Sequence, residues 1–149
     1  GVCLNAAKDS VVLVFDIDRK RAHLQAFGLP GGVIEDGETR EKAMVREWRE
    51  EVGEDAKALR LRHSESREGG KFLHHFFLIS PPEGSLREQG FSKEDGLPET
   101  GPPEWILLED IFSGKRKLYF SHLMGLKTVI IRMTVEDPEV AEKLGHLVE

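Results

Sequence analysis

The chain has 149 residues, 39% of them hydrophobic and 32% charged, with a net charge of −6. That length suits one domain, residues 1–149, with a core of its own, and Cys3 as the single cysteine excludes an internal disulfide. No apolar run nears the ~20 residues of a membrane span, and the acidic balance excludes general nucleic-acid binding, which needs a basic face. A lone cysteine fits a reducing compartment, so a soluble, cytoplasmic protein is expected, either monomer or homodimer, and the net charge leaves a small polyphosphate open provided a cation comes between. The chain opens on Gly1 rather than methionine, so an earlier segment is allowed for.

In chain order, SVVLVFDI (Ser10 to Ile17) reads as a buried strand, followed by a turn at DIDRKR. AHLQAFGL continues as a second strand, closed by Pro30-Gly31-Gly32. Thr39 caps a helix running to about Val52, and Gly53 stops it. ALRLRHSESREGG and KFLHHFFLIS form a hairpin turning near Gly69, Gly70 and Lys71. From Pro81 to Pro103 the chain is rich in Pro, Gly, Ser and acid, a long loop or lid of the kind that is often functional. EWILLEDI returns to a strand that steps into a helix. Ser121 to Met133 suits a helix with Leu123, Leu126, Ile130 and Met133 apolar, and Asp137-Pro138 caps a last helix ending near Val148. No internal repeat or low-complexity tract interrupts this order.

The helix behind the two glycines carries the chemistry. At 100° per residue, Met44, Val45, Trp48 and Val52 share one arc of about 100°, a core face. Glu47, Glu50 and Glu51 share another arc, read as turned away from the first. Glu47 and Glu51 repel at i,i+4, and all three lie where the helix dipole is already negative. A hard divalent cation removes both penalties, and carboxylate oxygens are the ligands that magnesium or manganese take. Glycines without a Cβ let the backbone turn tightly and approach an ion or phosphate. Arg46 is placed to fix the Glu47 carboxylate. Without the cation, the same charges would simply form a solvated face.

The whole segment resembles the Nudix box: Gly, five residues, Glu, seven residues, then Arg-Glu-U-x-Glu-Glu-x-Gly-U, with U a bulky apolar residue. Gly32, Glu38, Arg46, Glu47, Trp48, Glu50, Glu51 and Gly53 match in register. Seven fixed residues, each at roughly 6% usage, meet by chance on the order of once in a million such chains. The last U departs, being Glu54, a change in packing after the helix rather than in the box carboxylates. The box spans 32–54, about a sixth of the chain. The resemblance to the Nudix (MutT-like) hydrolases implies an α+β Nudix fold, an α/β/α sandwich around a mixed β-sheet. It implies Mg²⁺-dependent hydrolysis of a nucleoside diphosphate linked to X, with Mn²⁺ as a substitute. It further implies that Glu47, Glu50 and Glu51 bind the metal with the Gly31 carbonyl, that Arg46 orients Glu47, and that Gly32, Glu38 and Gly53 support the box.

The general base lies either in the box or on a downstream acidic loop. In the MutT-like branch that acid precedes a Trp-led strand. Here SKEDGLPETGPPEW offers Glu94, Asp95, Glu99 and Glu104, of which Glu94 and Glu99 are the preferred pair. His74-His75 falls in a strand, where neighbours face opposite sides and cannot share a metal. Lys115-Arg116-Lys117 could steer phosphates, though a charged turn is usually only solvated. The glycine pair lacks the Gly-Lys-Ser/Thr ending of a P-loop. Past the box, EGGKFLHH carries neither the proline typical of ADP-ribose hydrolases nor the tyrosine typical of dinucleoside polyphosphate hydrolases. This favours a nucleoside triphosphate over ADP-ribose, a nucleotide sugar or a dinucleoside polyphosphate. A non-catalytic Nudix-fold regulator would usually lack a box glutamate, and an isopentenyl diphosphate isomerase would need a pocket cysteine where this chain has only Cys3.

Overall fold

The computed structural model describes residues 1–17, 25–93 and 96–149. Strand β1 (Ser10–Phe15) is antiparallel to β2 (Phe27–Gly28) at Val14 and Phe15, and to β5 (Glu104–Leu107) from Ser10 to Leu13. Strands β3 (Arg60–Arg67) and β4 (Phe72–Leu78) form a hairpin closed by a short 3₁₀ turn at Glu68–Gly70. The N-terminal segment stitches the two parts together: Val2 bridges Leu78 in parallel, and Leu4 bridges Val11 antiparallel. The result is a mixed sheet.

Alternation along these strands builds two cores. Val11 and Leu13 face one side, with Phe76, and pack with Leu126, Val129, Ile130, Val140 and Leu144. Val12, between them, faces the other side with Cys3, Phe77 and Ile79, against Met44, Trp48 and Val52. Consecutive residues such as Phe76 and Phe77 therefore serve opposite helical layers, as a period of two requires. Helix α1 (Arg40–Val52) covers one face, and α2 (Leu108–Phe112), α3 (Phe120–Glu136) and α4 (Pro138–Val148) cover the other. This is the α/β/α sandwich of the α+β class. Among the described residues no helix is long and apolar enough to cross a membrane.

Helix α1, the hairpin and α4 occur where the sequence places them. Two other elements differ. The second strand shrinks to Phe27–Gly28, because Leu29 donates its N–H to His122 Nδ1 at 3.0 Å and Pro30 has none to give. The Ala22–Leu24 part of that expected strand lies outside the described residues. The step from strand to helix at EWILLEDI occurs as expected: after Leu107 the chain turns into α2, which buries Leu108 and Ile111 at helical spacing. The long loop is partly ordered: Ser92 pairs with Pro98, Asp16 with Thr100, and Gly101 donates its N–H to Phe15 O at 2.9 Å.

Helix α3 lies close against β4 because Gly125 faces Phe76, whose ring would stand 2.0 Å from an added Cβ. Alanine favours a helix over glycine by about 1 kcal/mol, yet Gly125→Ala is expected to destabilise by about 1–3 kcal/mol through overpacking. Urea unfolding measures the balance, and a variant as stable as wild type would show that the Phe76 ring moves aside.

Candidate active site

Helix α1 starts where Thr39 Oγ1 accepts the Lys42 N–H at 3.1 Å, and ends where Gly53 takes φ 97° and donates to Arg49 O. Met44, Trp48 and Val52 fix its rotation by burying against the sheet. Two expectations about its faces need correction. Val45 is only half-buried, whereas Glu51 is buried at 8% exposure. The reason is angular: Glu51 lies about 20° from Met44 on the wheel, and the Pro30-Gly31-Gly32 turn folds over that flank. Gly31 donates its N–H to Glu51 Oε2 at 2.9 Å.

Arg46 organises the opposite flank. Its Nε and Nη2 donate to the two oxygens of Glu38 at 2.8 and 3.1 Å, a bidentate pair, while Nη1 donates to Glu47 Oε1 at 2.8 Å. Nη2 also reaches Val33 O at 3.0 Å, tying the loop to the helix. Glu50 lies further off, its Oε2 3.7 Å from Arg46 Nη1. Glu38 and then Glu47 hold the guanidinium above its ordinary range, and Arg46 in turn holds the Glu38 carboxyl low.

Burial dominates at the other two carboxylates. Loss of water pushes Glu51 up to about 8, against the lowering pull of the Gly31 N–H and with help from the Glu47 charge. Glu47 is raised too, first by burial, despite its bond to Arg46. Two neighbouring carboxylates that resist ionisation are what a cation would relieve, and their donors are hard oxygens only. The residues fit Mg²⁺ or Mn²⁺. Among the described residues no three His, Cys, Asp or Glu stand together as a group that could hold a metal ion; Arg46 and the Gly31 N–H hold Glu47 and Glu51 instead.

The two glycines have different roles. A Cβ on Gly32 would stand 2.3 Å from Glu47 Oε1, whereas a Cβ on Gly31 would meet nothing nearer than 3.9 Å. The expectation that both positions exclude a side chain therefore holds for Gly32 alone; Gly31 contributes its backbone. Gly32→Val is expected to displace the Glu47 carboxylate and lower kcat by about 10²-fold, the scale of an ångström of misplacement. Initial rates with a Mg²⁺ titration measure this, and wild-type kinetics would reduce the turn to a connector.

On the downstream loop, Glu99 is brought to the site. Its charge raises both Glu47 and Glu51, and its carboxylate pairs with Lys93 Nζ at 2.8 Å. The Glu99 backbone is held on both sides, accepting from Ile17 N and donating to Phe91 O. Glu94 and Asp95 lie outside the described residues, and Glu104 is exposed in β5. Arg87, which carries no signal in a single sequence, caps the C-terminus of α1 by donating to Glu50 O at 2.9 Å and ties in the loop through Gly90 O at 3.1 Å. His122 and Tyr119 were equally silent. His122 accepts the Leu29 N–H, and Tyr119 donates its hydroxyl to Asp16 Oδ2 at 2.9 Å, so the start of α3 braces both the approach to the glycine turn and the end of β1.

The remaining candidates stay apart. His75 bonds Ser64 at 2.7 Å while His74 lies among Phe72 and Phe76, on the other side of β4. Lys115 stands 3.8 Å from Asp110, and Arg116 lies over the Phe27 ring. Cys3 is buried beneath α1 with its thiol pushed up to about 12, unsuited to acid–base work near neutrality.

Solved structures share this architecture. A MutT NUDIX hydrolase from Burkholderia pseudomallei is 20% identical with a TM-score of 0.65, covering 86% of this chain and 94% of its own. An ADP-ribose pyrophosphatase from Streptococcus suis is 20% identical, TM-score 0.61, covering 86% and 84%. The NUDIX domain of Shewanella oneidensis NrtR, complexed with ADP ribose, is 17% identical, TM-score 0.58, covering 89% and 82%. At such identities the likeness is one of fold. No curated protein matches the sequence. The family model described as NUDIX domain matches residues 1–123, and with it the chain belongs to the Nudix family, hydrolases of phosphoric anhydrides.

Proposed function

We propose that this protein is a Mg²⁺-dependent nucleotide pyrophosphohydrolase whose preferred substrates are nucleoside triphosphates. The carrying observation is the pair Glu47 and Glu51, both pushed toward protonation by burial beside the Gly31-Gly32 turn. In this reading Glu47, Glu50, Glu51 and the Gly31 carbonyl hold the metal. A cation bound there would supply charge neutralisation for the diphosphate and a more acidic water. Arg46 keeps the Glu47 carboxylate in one orientation, while Glu38 locks Arg46 to the loop. Glu99 takes the proton from the attacking water, with Glu94 as the alternative base. Gly32 leaves the space that the Glu47 carboxylate fills.

The triphosphate preference rests on the stretch past the box, where Gly69, Gly70, Lys71 and Phe72 stand in place of a proline or tyrosine. A cytoplasmic setting belongs to the same reading, because the one cysteine is buried and unpaired. A screen of nucleoside triphosphates, ADP-ribose, nucleotide sugars and dinucleoside polyphosphates with Mg²⁺, reading released monophosphate and pyrophosphate, tests it. Pyrophosphate released from triphosphates is the expected result. Release only from ADP-ribose or a dinucleotide would move the substrate class, and nucleotide binding without product would make the protein a regulator.

A further inference from the structure

We propose that α3 pairs with α3 of a second copy of this chain, antiparallel about a twofold axis between Lys127 and Thr128, giving a homodimer. Helix α3 buries Leu126, Val129 and Ile130 inward, yet its outer face is apolar as well. Phe120 is 70% exposed, Met124 38%, Ile131 41% and Val135 83%. At 100° per residue these four fall within an arc of about 60°, a straight stripe about 22 Å long. A helix that meets water on one side is polar there. The contrast is internal: α1 turns Glu41, Lys42 and Arg49 outward, and α4 turns out Glu139, Glu142 and Lys143.

The spacing of the stripe identifies the occupant. Reversed about the point between Lys127 and Thr128, Phe120 exchanges with Val135 and Met124 with Ile131. The face is its own complement under a twofold, the condition for an isologous interface. The four side chains expose on the order of 400 Å² of apolar surface, the scale of a patch that serves an interaction. Doubled, and joined by the flanking Thr128 and the stem of Lys127, the contact reaches about 1,000 Å², the lower bound for a specific interface. Area alone does not set affinity, but a contact at this lower bound is expected to be a weak one, dissociating at about 10⁻⁶–10⁻⁵ M. Two copies of Lys127 approach across the axis, so added salt is expected to tighten the dimer.

Sedimentation velocity on the full chain, across that concentration range, tests the pairing. Wild type is expected to pass from monomer to dimer, whereas Val135→Lys and Phe120→Glu each remain monomeric. The double variant, which sets the new lysine of one copy near the new glutamate of the other, is expected to recover the dimer. Circular dichroism and thermal melts confirm that each variant is folded, and Met124→Glu provides a second break at the centre of the stripe. A wild type monomeric throughout, a dimer indifferent to both single changes, or a double variant that fails to recover each overturns the proposal. Binding of wild-type monomer to vesicles of phosphatidylcholine, in place of self-association, overturns it as well.

Discussion

Glu51→Gln is expected to abolish turnover and yet to stabilise the metal-free protein at alkaline pH. The carboxylate is buried against the Gly31 N–H, and its folded pKa is pushed up from 4.5 to about 8. A raised acid favours the folded state fully below about pH 4.5, where Glu51 is protonated in both states. That contribution is lost as pH rises through about 8, because the unfolded chain releases the proton far more easily. The loss amounts to roughly 3–5 kcal/mol as an upper limit. Glutamine keeps an oxygen for the Gly31 N–H and carries no charge. The melting temperature of the metal-free variant should therefore exceed that of wild type above about pH 8, with the gap closing near pH 4.5. Mg²⁺ should raise the wild-type value and do far less for the variant, since binding to the folded state alone stabilises it. Thermal melts across pH, with chelator and with Mg²⁺, check both arms alongside initial rates. Wild-type turnover in Glu51→Gln would remove this carboxylate from the chemistry.

Glu99→Gln is expected to lower kcat by about 10²–10⁴-fold, the scale of general-base catalysis, while leaving the Mg²⁺ dependence close to wild type. The charge of Glu99 acts on Glu47 and Glu51, and its backbone is pinned between Ile17 and Phe91, so the side chain is presented from a held loop. Glu94→Gln is the matched comparison. A drop in Glu94→Gln alone would pass the proton to the neighbouring acid. Normal kcat in both variants and in their double would return the base to the box, where one glutamate would serve metal and proton together.

The box itself was legible in one dimension because its constraints are local. Gly32, Glu38, Arg46, Glu47, Glu50, Glu51 and Gly53 sit on one turn and one helix, so their spacing in sequence is their spacing in space. Thr39 and Gly53 bounded α1 for the same reason, since caps act on the backbone beside them. The unbroken apolar run of β1 announced a buried strand, and α4 was marked by Asp137-Pro138. What needed the folded chain was everything set by a distant partner. Glu51 is buried rather than solvated because a turn 20 residues earlier folds over it. Gly32 has no room for a Cβ and Gly31 has, a distinction made by the position of the Glu47 carboxylate. Arg87, His122 and Tyr119 reach Glu50 of α1, Leu29 just after β2 and Asp16 just after β1 across 37, 93 and 103 residues, separations that no local pattern encodes. Local sequence determined which chemistry the helix could carry; long-range packing decided which carboxylates lose their water, and hence how strongly they call for a cation.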